Sequence, residues 1–320
     1  MSNDVTDSAS WGQITVYDPA MAVQVAEMFN AFNELWPGGF GGRVPYDEQR
    51  VRDWLDETSA LADLIALDAD GNPVGYCGLY PHWRDKHAAY VSVLGVVPRV
   101  KGQKYGKRML LRAIEIAGER GISRVDLHTW SGNLNAMPLY KKVGMFWVPE
   151  TNVYMQDYVP GLLRMSLASE WFERHPDWYA CFRRELEQAP DKHVIDGMEL
   201  YRYTFEANGD RLVAEVDRYG WGFCGIERVL GGQRIAVRTR LQSHEIQIGI
   251  PNAMTISVEN GWDEPISVAL TVEPFDGLIW EEAFPLALEV PAHQEASVTR
   301  TFAVDRTAET YRDEASDVIR

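Results

Sequence analysis

The sequence predicts an α+β protein of two domains: an N-terminal domain with a mixed, mostly antiparallel sheet flanked by helices, followed by a mainly antiparallel β-sandwich. Three observations lead there. The 320 residues exceed the usual span of one domain, so two domains of roughly 150 residues each are the starting expectation. Helix and strand periodicities alternate through the first half, whereas short β-type runs dominate after Met198. The 46% hydrophobic and 24% charged content is that of an ordinary globular chain, without a bias toward disorder or fibres.

Taken in order, QITVYDP alternates as a strand, and Asp18-Pro19 opens a helix through Met28 and Phe32 that stops near Trp36-Pro37. The glycine-rich run 38–42 is read as a mobile loop leading to a second helix near Tyr46-Asp47. LADLIALD and PVGYCGLY flank a turn-forming stretch at 68–72 and form a hairpin. A third strand, 88–97, ends at Pro98, which has no amide to continue a ladder. Over 104–120, Met109, Leu110, Ala113, Ile114 and Ala117 recur at three and four, one buried helical face, and Gly121 suits its exit. A strand at 124–130, a short helix at 134–142 and strands at 145–148 and 152–158 complete the order β-α-α-β-β-β-α-β-α-β-β.

This assigns 1–160 to the first domain and 161–195 to a helical connector whose helix is interrupted at Pro176. The sandwich occupies 196–304, with turns at Asn208-Gly209-Asp210 and Gly231-Gly232, and a polar, loosely held tail fills 305–320.

A formal net charge of -16 argues against nucleic acid or an anionic membrane as partner and favours a cationic one. Cys77, Cys181 and Cys224 form neither a metal-ligand spacing nor a disulfide framework and read as reduced core residues, so no metal site is expected. MSNDVTDSAS lacks the regions of a secretion signal and no apolar run is long enough to span a bilayer, which makes the cytoplasm the default location.

Against that acidic background, Arg99, Lys101, Lys104, Lys107 and Arg108 are a local reversal, either a solvated helix face or an anion site. The order strand, proline, basic glycine-containing loop, helix favours the second. Amides at a helix start point outward and carry the positive end of the dipole, so they hold phosphate. Gly102 and Gly106 permit close approach to the main chain, and Lys101, Lys104, Lys107 and Arg108 add charge around a diphosphate or a 3'-phosphate. No G-K-[ST] follows, which excludes a Walker A loop, and G-x-G-x-x-G is absent.

The stretch VVPRVKGQKYGKRMLL resembles motif A of the GNAT superfamily of N-acetyltransferases, V-x-P followed by Q/R-x-x-G-x-G/A, through Val96, Pro98, Lys101 and Gly106. It departs at Lys101, normally Arg or Gln, and at Lys104, normally the first glycine. Helical φ is the expectation for Lys104, which would make its side chain nearly free of strain there. WSGNLNAMPLYKKVGMF resembles motif B, N-x-x-A-x-x-L-Y-x-x-x-G-[F], with Asn133, Ala136, Leu139, Tyr140 and Gly144 in register and Met145 departing. The resemblance covers about residues 10 to 158.

It implies acetyl-coenzyme A as acyl donor and transfer to a primary amine by direct attack. The strand Leu94-Gly95-Val96 is then expected to splay from its neighbour, bind the pantetheine arm and offer an amide near Leu94 to the thioester oxygen. Lys101, Gly102, Gln103, Lys104, Tyr105, Gly106 and Lys107 would hold the diphosphate. Tyr140 is the candidate general acid, with a packed amphipathic tyrosine as its plain alternative. Asn133 would contact the pantetheine or cap the short helix. His128 is the candidate base, with a structural histidine as its alternative; Asp126, on the same face, would orient or replace it, and Tyr90 and Ser92 are further candidates.

The resemblance places the acceptor against loops 36–43 and 148–152, with Glu34, Asp47, Glu48 and Glu150 as attracting carboxylates. A small-molecule amine or a protein N-terminus both remain open. The second half resembles Ig-like β-sandwich modules in general pattern. Its open uses are a lid, a homodimer surface, or a sugar- or protein-binding module in which Trp221, Phe223, Trp262 and Trp280 form a platform or simply pack the core. The rival from another class is an acetyl-CoA-binding sensor or adaptor without chemistry.

Overall fold

The structure is a computed structural model describing residues 13–36, 39–130, 132–184, 193–195, 198–219, 222–243, 246–272, 277–305, 311–313 and 316–318. The chain divides into two compact units: residues 1–145 with 154–161, and residues 146–153 with 162–320. The first twelve residues, loop residues 37–38 and Trp221 lie outside the described residues.

In the first unit the elements are β1 (Ile14–Val16), α1 (Ala22–Ala31), α2 (Glu48–Leu55), β2 (Ala62–Leu67), β3 (Pro73–Pro81), β4 (Ala88–Val96), α3 (Tyr105–Glu119), β5 (Arg124–His128), α4 (Met137–Val143) and, after β6 (Phe146–Trp147) of the second unit, β7 (Tyr154–Asp157). Their order is the one read from the sequence. The strands of this unit run β1-β2-β3-β4-β5-β7, with β4 and β5 the parallel pair and the other pairs antiparallel. The β2–β3 turn closes on Asp68, whose Oδ1 accepts from the amides of Asp70 and Asn72 at 3.1 and 2.9 Å. That use of a short polar side chain is why the Asp-rich stretch turns there.

Helix α3 buries Met109, Leu110, Ala113, Ile114 and Ala117 against β2 to β5. A second cluster is aromatic: Phe29 lies within 5.1 to 5.9 Å of the rings of Phe32, Phe40, Tyr46, Trp54 and Tyr76. Burial of rings at this density supplies much of the unit's stability, each fully buried apolar side chain contributing about 1.5–3 kcal/mol.

The second unit is antiparallel, and two sheets of unequal size make up most of its described strands. One has nine strands, running from Leu278–Trp280 through Glu295–Val304, Pro251–Asn260, Gln233–Leu241, Gly222–Leu230, Asp210–Asp217 and Met198–Ala207 to Phe182–Arg183, with His193–Ile195 also on Met198–Ala207. The other pairs Ile266–Leu270 with Leu286–Val290 and packs onto Ile235 and Val258. Helix Ser166–Arg174 lays Trp171 and Phe172 on Phe205, at 5.9 and 5.4 Å between centroids. The small sheet therefore shares with a helix the work of covering the large one. Gly231 and Gly232, both at positive φ, close a hairpin. Trp280 packs on Phe302 and Phe284, the core use of that ring. Beyond residue 305, Tyr311–Asp313 pairs with Ser316–Val318.

Candidate active site

Strand β4 pairs with β3 from Ala89 to Val96, whereas its parallel pairing with β5 stops after Ala88↔Arg124, Ala89↔Val125 and Tyr90↔Asp126. From Val91 onward β4 has no β5 partner in the ladder. Leu94 and Val96 are half-buried and Gly95 is buried; a side chain on Gly95 would meet Phe32 at 2.9 Å and Trp36 at 3.1 Å. Leu94, Gly95 and Val96 thus lie past the end of the β4–β5 ladder, an edge that suits an extended ligand adding as a strand.

Beside the end of that ladder a buried polar chain ties β5 to β7 and to the connection between β3 and β4. Arg124 donates to Asp126 at 2.6 and 2.8 Å and to Asp85 at 2.9 Å. The Tyr154 hydroxyl donates to Asp126 at 2.8 Å and lies 3.0 Å from His82 Nε2. Since His82 Nδ1 accepts from the amides of Asp85 and Arg84, its proton sits on Nε2 and is donated to Tyr154. Asp126, expected to orient or replace a base, is fully buried and committed to this ion-pair network. Such a charge remains inside only because it is paired.

At the other end of β4, Pro98–Val100 forms one 3-10 turn, and Lys101, Gly102, Gln103 and Lys104 follow as an exposed loop into α3. The first ladder bond of α3 runs from the Arg108 amide to the Lys104 carbonyl at 3.1 Å. The amides of Tyr105 and Gly106 precede it and face out of the helix end. Gly102 has φ 87 with open space where a Cβ would stand. Lys104 corrects the expectation of helical geometry: its φ is 64 and its ψ 8, left-handed. The chain must reverse there to present the helix end, and a non-glycine residue holds that conformation at roughly 1–2 kcal/mol. Gly106 has ordinary φ, but a Cβ there would stand 3.2 Å from Leu139 of α4. Tyr105 is buried, leaving only its main chain for a ligand.

Tyr140 on α4 is 7% exposed. Burial first, then the nearby Cys77 thiol, pushes its pKa up to about 12, while a hydrogen bond with Thr129 acts the other way. Asn133 Nδ2 donates to Thr129 Oγ1 at 2.9 Å, and its Oδ1 accepts from the Ala136 amide at 3.3 Å. Asn133 therefore ties the start of α4 to Thr129, and through it to Tyr140. His128 ends β5 exposed.

The proposed acceptor-attracting carboxylates have other uses: Asp47 caps α2 by accepting from the Arg50 amide at 2.9 Å, and Glu48 pairs with Arg52. Glu150 and loop 148–152 belong to the second unit, and the Glu34 side chain lies outside the described residues. Sequence reasoning passed over Thr129 and Asp63. The signal for Asp63 is an acid in the middle of the otherwise apolar strand Ala62–Leu67. Among the described residues no cluster of metal-binding side chains occurs, and no helix is long and apolar enough to cross a membrane.

The splayed edge, the open Gly102 and the outward amides of α3 fit an extended arm ending in a diphosphate. Residues 25–145 match the model described as the acetyltransferase (GNAT) family, and the match stops short of the second unit. A thialysine N-epsilon-acetyltransferase of Bos taurus is 32% identical over 113 residues, covering 32% of this chain and 66% of that protein. A mycothiol acetyltransferase of Pseudarthrobacter chlorophenolicus is 31% identical over 100 residues, covering 29% and 28%. The chain thus spans about a quarter to two thirds of the curated relatives it matches. A GNAT family N-acetyltransferase from Escherichia coli, solved in complex with CoA, aligns at TM-score 0.36 and 17% identity over 48% of this chain and 84% of that one.

Proposed function

Residues 25–145 being a GNAT acetyltransferase domain, we propose that this chain transfers an acetyl group from acetyl-CoA to a primary amine by direct attack. The observation that carries the reading is the abrupt end of β4–β5 pairing at Tyr90↔Asp126, beside a buried tyrosine that keeps its proton at neutral pH.

Acetyl-CoA supplies an activated thioester when bound. The free edge at Leu94, Gly95 and Val96 hydrogen-bonds the pantetheine arm, and an amide near Leu94 stabilises the developing oxyanion. Amides at the start of α3, with Lys101, Gly102, Gln103, Lys104 and Lys107 around them, take the diphosphate. Tyr140 holds its proton against a leaving thiolate whose own pKa is about 8.5. With a phenol near 12, full transfer is uphill, so Tyr140 acts mainly as a hydrogen-bond donor to the departing sulfur. The proton that ends on sulfur derives from the attacking ammonium, and exposed His128 is the group suited to relay it.

Screening amines for free-thiol release tests the transfer and separates it from a CoA sensor, which binds but releases nothing. Tyr140→Phe is expected to lower turnover by roughly tenfold or more while leaving CoA affinity nearly intact; unchanged turnover removes Tyr140 from the reaction.

A further inference from the structure

Arg50, in the first turn of α2, directs its side chain at the main chain that leads into the helix. Its guanidinium donates to the carbonyls of Gly41 at 2.9 Å, Pro45 at 3.3 Å and Val44, and lies over the Tyr46 ring at 4.0 Å. Among the described residues it forms no ion pair, although Glu48 and Asp53 stand close by on the same helix; they bond Arg52 and Gln49 instead. A planar fork of donors can gather three carbonyls in this way, which a single ammonium cannot.

Those carbonyls belong to the connection between α1 and α2. Asn30 closes the same connection from the α1 side, its Oδ1 accepting from the Tyr46 amide at 2.8 Å and its Nδ2 donating to the Tyr46 carbonyl at 2.9 Å. Gly41 and Gly42 stand at φ 61 and 73, and a Cβ on Gly41 would meet Tyr46 at 2.7 Å and Arg50 Nη2 at 2.9 Å. The described part of the run that its glycines mark as a loose loop is therefore tied down beneath Arg50.

What the clamp holds is a wall beside the free edge of β4. Phe40, itself buried, packs on Phe32 at 5.4 Å and on Trp36 at 5.0 Å, and those two rings are the ones that crowd Gly95. Cys77 pairs with Leu94 and Tyr76 with Gly95, so alternation sets Cys77 and the wall at Gly95 on opposite faces of the sheet. Helix α3 covers the Cys77 face, with Met109 against Gly75, and α4, which carries Tyr140, packs on α3 through Leu139 and Gly106. An acyl group held near Leu94 then has Tyr140 on one side and Trp36 on the other, and the Trp36 side is the one left for the amine. Phe32 is buried like Phe40, whereas Trp36 is half-buried and offers part of its ring to a second substrate.

We propose that Arg50 is a positioning residue for the acceptor: by tying Gly41, Val44 and Pro45 to α2 it keeps Phe40 behind Trp36, and the open part of Trp36 receives an aryl group carried by the attacking amine. The proposal rests on the acetyltransferase reading for what lies along β4, but binding of the aryl amine does not require transfer.

Two measurements on the 320-residue chain keep these apart. In thiol release from acetyl-CoA, phenylethylamine is expected to exceed ethylamine in kcat/KM by roughly tenfold or more, and Trp36→Ala should erase that preference. Arg50→Ala should raise KM for phenylethylamine roughly fivefold or more while moving kcat and CoA affinity by less than about twofold, and millimolar ethylguanidinium should restore part of the loss. Arg50→Lys keeps the charge without the fork and should resemble Arg50→Ala. Gly41→Ala, which presses on Tyr46 and Arg50 from the loop side, should raise KM by another route and serves as the second variant if Arg50→Ala does not fold. Calorimetric titration of phenylethylamine into chain saturated with CoA reads binding without catalysis. If phenylethylamine binds the wild-type chain and binds Arg50→Ala more weakly, yet no amine yields thiol, the positioning inference stands and the transfer reading falls. Unchanged KM and binding in Arg50→Ala, an equal loss of CoA affinity, no preference for the aryl amine, or no binding of phenylethylamine to the wild-type chain overturns the inference.

Discussion

Lys104→Gly should separate stability from ligand affinity in opposite directions. At φ 64 the lysine holds a left-handed conformation that costs about 1–2 kcal/mol for a residue with a Cβ. Glycine removes that strain but brings roughly 0.4–1 kcal/mol of extra chain entropy in the unfolded state. The net gain is about 0.5–1 kcal/mol, or ~1–4 °C in the melting of a unit of this size. The substitution also deletes an exposed cation at the proposed diphosphate site, where such a charge is worth up to about 1 kcal/mol, or roughly fivefold in affinity. Differential scanning calorimetry and titration with CoA read the two effects. Lys104→Ala is the control, because it deletes the same charge and keeps the left-handed backbone. It should bind CoA as weakly as the glycine variant without melting higher. A glycine variant that melts no higher than the alanine variant would refute the strain assigned to this position, and undiminished CoA affinity in both would remove Lys104 from the phosphate site.

The other expectations follow from the same geometry. Gly102→Ala, at φ 87, should cost about 1 kcal/mol in urea unfolding, the mirror of the Lys104 result. Asp126→Ala takes from buried Arg124 the carboxylate that it meets at 2.6 and 2.8 Å and should destabilise by about 3 kcal/mol; a loss within a few tenths would show the network to be dispensable. Alkaline pH should unfold the first unit early. Tyr140 and Cys77 both titrate near 12 in the fold, chiefly through burial, against ~10 and ~8.5 unfolded. Their stabilising share is complete below the unfolded values and is lost as pH rises toward 12. A urea midpoint flat between neutral pH and 11 would contradict this.

Element order was legible because each apolar run in the first unit serves one layer: Met109 to Ala117 at helical spacing on α3, and two hydrophobic runs around Asp68 to Asn72 on β2 and β3. Motif positions marked the β4 edge, the α3 entry and Tyr140. The Lys104 conformation was hidden because a side chain's φ at a helix entry is set by where the chain must go next, which local propensity does not encode. Asp126 drew attention as a base because sequence shows a carboxylate near His128 but not that Arg124, two residues back on the same strand face, neutralises it. Asp63 escaped notice for the reverse reason, since its hydroxyl partners Tyr76 and Tyr80 come from the next strand and become neighbours only through the hairpin register. In the second unit, alternation identified antiparallel strands. It did not specify that nine would join one sheet and two another, because inward-facing residues look alike whether a helix or a strand pair covers them.

The most direct test of the account is titration of the 320-residue chain with CoA, monitored by calorimetry alongside hydrogen exchange of the β4 and α3 amides. Saturable submillimolar binding, with protection gained at Leu94 to Val96 and at Tyr105 and Gly106, is the expected result. Absence of binding by folded protein, or binding that leaves those amides unprotected, would contradict it.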